Sequence, residues 1–339
     1  MRPLALFAAL VAPWAAAQPD PADLASPEAL VQAAYEVIHR EPGGDYDWPR
    51  ARPLFLPQAV EIPNTEQTGG PLAVLNPEAF RRLVSAATPI GGPDDHGFQE
   101  EQTHATVHRY GDVAQVFSAY QKHDWGSDEI TGRGINAFQL VRQPGGAWKI
   151  VSIIWDEEEG AGPIPARYGG SGADRPETDA AVPSARFGTP EAVVDAAYAV
   201  IQRRPGDRYD WDLFRSLFLP QASLVPNTEQ SEGAFTVLTP GGFAAWVDRH
   251  TPYGTDQDRG FAEEEVHRVV ERYGDVAQVF STYKKRFYDS DEVLGRGINS
   301  FQLVRHDGRW WIVGIVWDEE YGGSEQGGGP IPDRYLARY

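Results

Sequence analysis

The sequence predicts an α+β chain of two tandem domains, each with about three helices against an antiparallel sheet, the two sheets packed face to face. Three observations carry this. Residues 26 to 142 can be laid on residues 189 to 305 at a constant offset of 163 without a gap, and about half the positions match. One fold unit has therefore been copied. Within each copy, apolar stripes of helical period come first and longer β-prone runs with period two follow. The last run is apolar on both faces, and such a strand needs a cover on each side.

Ahead of the first copy stand Met1 and Arg2, an apolar run from Leu4 to Trp14, and the small residues Ala15, Ala16 and Ala17. That pattern reads as a secretory signal peptide cut after Ala17, and predicts an exported protein, periplasmic or secreted. The apolar run is too short to cross about 30 Å of hydrocarbon, so the chain is not expected to be membrane-embedded. With no cysteine, the protein has neither disulfides nor a cysteine for a lipid anchor, and its stability must come from packed cores. The formal net charge of -19 argues against a nucleic-acid partner, which requires a basic face. A solvated acidic surface is the plain reading; attraction of cationic ligands is the other.

Each copy opens on a hydroxyl cap, a proline and an acid: Ser26, Pro27 and Glu28, then Thr189, Pro190 and Glu191. These suit the free amides and positive end of a helix. Leu30, Ala33, Ala34, Val37 and Ile38 give it one buried face, and it should stop near Pro42 and Gly43, or Pro205 and Gly206. A short helical segment is expected around Trp48 to Phe55 and Trp211 to Phe218. Ala59 to Ile62 and Leu72 to Leu75 read as two short strands of a hairpin. Asn76, Pro77 and Glu78 start another helix, Pro77 to Ala87, whose partner begins at Pro240.

Four longer antiparallel strands follow: Glu100 to Arg109, Val113 to Lys122, Gly134 to Arg142 and Trp148 to Asp156, with Tyr110, Gly111 and Asp112 turning between the first two. On the third, Asn136, Phe138 and Leu140 share a helix-covered face, while Ile135, Ala137, Gln139 and Val141 share a half-buried one. On the fourth, strict alternation sets Ile150 and Ile154 against Val151, Ile153 and Trp155. The sister repeat is the nearest cover for the outer face, which makes an intramolecular pseudo-dimer. The domains are assigned to 26–168 and 189–336, with the Gly-, Pro- and Ser-rich stretch 169–188 as a flexible or loosely laid linker.

This order of elements resembles the nuclear transport factor 2-like superfamily, which includes the SnoaL-like polyketide cyclases. The closest echo is Glu264 to Glu320, with EVHRVVERYGDVAQVFSTY, GRGINSFQLVR and GRWWIVGIVWDEE, which resembles uncharacterised bacterial members. The resemblance implies a strongly bent sheet wrapped on helices, a cone whose open end holds a small apolar or amphipathic ligand, and dimerisation through the outer sheet face. It brings no function with it, because the fold hosts isomerases, dehydratases, cyclases and plain binding domains.

Candidate residues come in pairs. His104 and His267 are the candidate general bases, by virtue of an ordinary pKa near 6.5, and a structural histidine is the plain alternative. Glu100 shares a strand face with His104, but four residues of strand put them about 13 Å apart. His104 with His108 is spaced too widely on a strand for a metal, and Glu271 replaces His108 in the second copy, so no metal is expected. Asn136 and Asn299 sit among apolar neighbours and must find a partner, in the chain or on a ligand. Arg133 and Arg296 either clamp a carboxylate or pair with a neighbouring acid. Tyr120 and Tyr283, near Lys122 and Lys285, belong to a cavity mouth or a core edge, and Trp48 and Trp211 stack on a ligand or pack in the core. WDEE at Trp155 to Glu158 and Trp317 to Glu320 reads as an exposed acidic strand end. No motif calls for a cofactor. These observations predict an exported protein that is non-catalytic or binds a small hydrophobic molecule. The alternative is a SnoaL-like acid–base enzyme with His104 or His267 as base and Asn136 or Asn299 orienting the substrate.

Overall fold

The computed structural model describes residues 19–63, 71–174, 187–226, 235–320 and 328–336. The signal-peptide reading at 1–17 and linker residues 175–186 lie outside the described residues. The first half contains α1 (Pro27–Glu36), α2 (Trp48–Ala51), β1 (Phe55–Ile62), α3 (Pro77–Ala87), β2 (Gln99–Tyr110), β3 (Val113–His123), β4 (Ile130–Arg142), β5 (Trp148–Glu157) and one helical turn, α4 (Glu158–Ala161). The second repeats it as α5 (Pro190–Val200), α6 (Trp211–Arg215), β6 (Phe218–Val225), α7 (Pro240–His250), β7 (Ala262–Tyr273), β8 (Val276–Arg286), β9 (Val293–His306) and β10 (Arg309–Glu319). The caps form as the sequence dictates: Ser26 Oγ accepts from the Ala29 amide at 3.1 Å, Asn76 Oδ1 from Ala79 at 2.8 Å and Thr189 Oγ1 from Ala192 at 3.1 Å.

Several sequence expectations need correction, three of them in the course of the chain. The first helix ends at Glu36 rather than near Pro42, because residues beyond it are claimed by tertiary bonds. Arg40 forms a bridge with Phe98, and its guanidinium is buried on Asp95 at 2.7 Å. Arg203, Phe261 and Asp258 repeat this in the second half. Among the described residues the expected hairpin is reduced to one antiparallel bridge, Glu61 to Leu75: Ala59–Ile62 is the end of β1, which runs parallel to β5. Each sheet is therefore mixed, ordered β1-β5-β4-β3-β2 and β6-β10-β9-β8-β7.

The third correction concerns faces. In β5, Leu140 pairs with Ile150 and Gln139 with Ser152, so Val151 is an extra residue that reverses the alternation. Ile150 and Ile153 consequently both join the helix-side core, whereas Val151 and Ile154 turn outward. Val313 does the same in β10. Similar bulges lie at Thr103 in β2 and Val266 in β7, where Gln102 pairs with Tyr120 but His104 with Ala119, and Glu265 pairs with Tyr283 but His267 with Thr282.

The two outer sheet faces pack on each other. Phe117, Ala119, Ile135, Ala137 and Ile154 form one apolar cluster with Tyr273, Val276, Val304 and Val313. Tyr110, Val113, Val141 and Val151 form the reciprocal one with Phe280, Ile298 and Val316. Between them run buried glutamines. Gln115 Nε2 donates to Phe301 O at 2.8 Å, Gln278 to Phe138 O at 2.7 Å, Gln139 to Ser300 O at 2.7 Å and Gln302 to Ala137 O at 2.6 Å. The face expected to be half-buried is therefore fully covered, and its glutamines stitch one sheet to the other's carbonyls.

The WDEE runs are not exposed strand ends. Asp156 and Asp318 are 5% and 2% exposed. Each caps the turn of the opposite half: Asp318 Oδ2 accepts from the Asp112 amide, and Asp156 Oδ2 from Asp275, both at 2.9 Å. Gly111 and Gly274 sit beneath these carboxylates with φ of 53°, and a β-carbon on Gly111 would lie 2.0 Å from Asp318 Oδ2. Two short arms finish the interface. Tyr168 packs on Phe117 and donates to Glu271 Oε2 at 2.7 Å; Tyr335 packs on Phe280 and meets His108 Nδ1 at 3.3 Å. His108 Nε2 lies 2.9 Å from Glu271 Oε1.

Candidate functional site

Between the helices and the concave side of each sheet is a cavity, about 250 Å³ in the first half and about 310 Å³ in the second. Aromatic rings make most of the walls: Tyr46, Trp48, Phe80 and Trp155 in the first, Tyr209, Trp211, Phe243 and Trp317 in the second. The helix stripes point Trp48, Phe80, Trp211 and Phe243 inward because their other side must face water, while Trp155 and Trp317 come from β5 and β10 and Tyr46 and Tyr209 from just ahead of α2 and α6.

The polar floor is built by alternation. On β3, Val116, Ser118 and Tyr120 face the helices, and on β4 Asn136 does so beside them. Tyr35 from α1 reaches down to Ser118 Oγ at 2.7 Å. Asn136 Nδ2 donates to Tyr35 OH at 3.1 Å and to Glu100 Oε1 at 2.9 Å. Burial pushes Glu100 up to about 7 and raises the Tyr35 phenol. Lys122 Nζ holds both Glu157 oxygens at 2.8 Å, and Tyr120 OH donates to the same carboxylate at 3.2 Å. The second floor copies this with Tyr198, Ser281, Asn299 and Glu263: Asn299 Nδ2 donates to Tyr198 OH at 3.0 Å and to Glu263 Oε1 at 3.1 Å. Glu263 is also pushed up to about 7 by burial.

The linings differ at several places, with Phe214, Trp246 and His250 in the second where the first half has Ala51, Leu83 and Ala87, and one of the differences is a buried carboxyl. Glu61, on β1, is 4% exposed and lines the first cavity. Its amide pairs with Leu75 O, but its carboxyl has no hydrogen-bond partner among the described residues. Burial alone pushes it up to about 8. The second cavity has Leu224 at this place.

Of the residues singled out from sequence, Asn136, Asn299, Tyr120, Trp48 and Trp211 line the cavities. Tyr283 is buried behind Lys285, donating to Glu319 at 3.0 Å. His104 and His267 face neither cavity. The bulges at Thr103 and Val266 turn them to the opposite sheet face from Glu100 and Glu263, and His104 lies under Gly169. Arg133 is exposed on β4, and Arg296 pairs with Glu320 at 2.7 Å, so neither enters a cavity. Tyr35, Tyr198 and Glu61 were missed; Glu100 was weighed only as a partner for His104, and Glu157 and Glu319 only as part of an exposed acidic run. For Glu61 a signal existed: a carboxylate in the β-prone run AVEI where the other copy has leucine. Among the described residues no group of His, Asp and Glu is arranged to hold a metal ion.

No protein-family model matches the chain, and no curated protein matches it. Similar solved structures include an NTF2-like protein of unknown function from Silicibacter pomeroyi, at 19% identity over 38% of this chain and 92% of that one, with a TM-score of 0.27. Another is an NTF2-like protein of unknown function from Pseudomonas putida, at 12% identity over 42% of this chain and 92% of that one, with a TM-score of 0.32. A third is the S. rosetta CaMKII hub, at 16% identity over 41% of this chain and 99% of that one, with a TM-score of 0.30. What decides the fold is the architecture itself, with helix, short helix, edge strand, helix and four long antiparallel strands in that order in each half. Each half has the order of elements that the resemblance to the nuclear transport factor 2-like superfamily implies. Its cone opens between α1, α2 and α3 in the first half, and its outer face is spent on the sister domain.

Proposed function

We propose that the protein is exported and binds small, largely apolar molecules, one in each cone. The observation that carries this is the pairing of aromatic walls with a converging polar floor, Tyr35–Asn136–Glu100 and Tyr198–Asn299–Glu263. An apolar body fills the cone and a single polar group meets the asparagine–carboxyl pair. Export is supported by the leader pattern of Met1 to Ala17. Native mass spectrometry of protein from its own host tests both parts. The expected chain begins at Gln18 and carries one or two small co-purified molecules that leave on denaturation. A chain still starting at Met1 removes export; cones that stay empty and bind no member of an apolar fragment set remove the binding reading.

A second reading is favoured by Glu61. The acid–base alternative with His104 or His267 as base finds neither of them in a cone, but a carboxyl titrating around 8 in an apolar cavity is able to exchange protons with a substrate at neutral pH. On this reading the first domain alone works as an acid–base enzyme. Deuterium exchange into an enolisable ketone, followed by NMR, should then be accelerated by the wild type and fall at least about 100-fold in Glu61→Gln. No acceleration by the wild type leaves binding alone.

A further inference from the structure

We infer that the first cone selects a ligand carrying a basic nitrogen, whose ammonium pairs with Glu61, while the second cone takes uncharged molecules of the same shape. The inference deepens the binding reading and rests on it.

A carboxyl at 4% exposure without a partner among the described residues has lost most of its water and gained no protein donor in return. Every other charged group of this cavity is already satisfied: Glu157 by Lys122 and Tyr120, and Glu100 by Asn136. Lys122 is held on Glu157, so it does not offset Glu61. An incoming ammonium supplies both the missing charge and the missing donors. The walls suit the same ligand, since Tyr46, Trp48 and Phe80 present ring faces or edges that accept an apolar body and tolerate an adjacent cation. A ligand carboxylate is disfavoured there by like charge. In the second cone Leu224 removes the acceptor, and Lys285 and His250 lie on its lining, so nothing is left to pair with an ammonium except Glu263, which already binds Asn299. The two cones then differ in one function only: both hold the apolar body, and one reads the nitrogen.

The test uses the full-length chain and a matched pair of probes, 2-phenylethylamine and 2-phenylethanol, measured by calorimetry at pH 7. The expected result is one amine site per chain, at least about tenfold tighter than the alcohol at that site. Because burial pushes Glu61 up to about 8, it is mostly protonated at this pH, and since the ammonium favours its charged form, amine binding should release a proton, seen as a buffer-dependent enthalpy. Glu61→Leu should weaken the amine at least tenfold and leave the alcohol within about threefold. Leu224→Glu should create a second amine site, a gain of function that keeps the idea testable if Glu61→Leu folds poorly. Equal amine affinity in wild type and Glu61→Leu overturns the inference, as does a wild type that prefers the alcohol. In that last case the binding reading stands; if neither probe nor any apolar fragment binds, it falls as well.

Discussion

Replacing Glu61 with leucine, the residue already present at the same place in the second half, is expected to stabilise the protein by on the order of several kcal/mol at pH 8 and above. The sign follows from linkage. The Glu61 carboxyl titrates around 8 when folded, against an ordinary value near 4.3 when unfolded. Below about pH 4 both states hold the proton and no penalty exists. As pH rises through this window the unfolded state releases its proton first, so folding loses stability until the folded group also ionises near pH 8. Glu100 and Glu263, both pushed to about 7, add penalties that grow over a slightly lower window. Urea unfolding at a series of pH values should show the wild type weakening from pH 4.5 to 8. In Glu61→Leu a smaller slope should remain from the two floor carboxyls. Identical slopes in the two proteins would refute the assignment of Glu61 as a strained, desolvated acid.

The second large effect is expected at Gly111. Valine there must adopt a φ of 53°, which costs an L-residue about 1–2 kcal/mol. Its β-carbon would also stand 2.0 Å from Asp318 Oδ2 and 2.7 Å from the Gly328 α-carbon. The carboxylate has to leave the Asp112 amide, and a charge-assisted bond worth about 1.5–3 kcal/mol goes with it. Gly111→Val should therefore lose at least about 3 kcal/mol of stability. Solution scattering should show a larger radius as the corner between the halves opens, and the double variant with Gly274→Val should approach two separate beads. An unchanged scattering profile in the double variant would mean the halves are not held by these reciprocal caps.

The repeat, the caps and the four long strands were legible because they rest on local signals: Ser26, Asn76 and Thr189 at helix starts, and alternation along β3 and β4. What escaped were features set by pairing. A bulge has no residue signature at Thr103 or Val151, yet each reverses every side chain beyond it, and that reversal removed His104 from the cavity and moved Ile153 to the helix side. The stop of α1 was misplaced because Arg40 is recruited by Asp95 and Phe98, more than fifty residues away. The acidic ends were read as exposed since nothing local says that Asp156 and Asp318 reach into the other half. The floor asparagines were found from their apolar neighbours, but their carboxyl partners Glu100 and Glu263 lie just before the bulges on the edge strands β2 and β7, one strand beyond the neighbour, and only register brings them together.

His108 and Glu271 occupy the same position in the two repeats, so their 2.9 Å contact lies where a twofold axis would pass. In a dimer of identical chains such a position must meet itself, histidine against histidine or carboxylate against carboxylate. Here the meeting is between unlike partners. Expressed as separate chains, each half should be a poor partner for its own kind and a good one for the other, so mixing the two should yield the one-to-one species in preference to either homodimer. Covalent duplication thus relieved the interface of an obligation of self-complementarity, and the same release from sameness is what permitted Glu61 and Leu224 to diverge within two cones of one architecture.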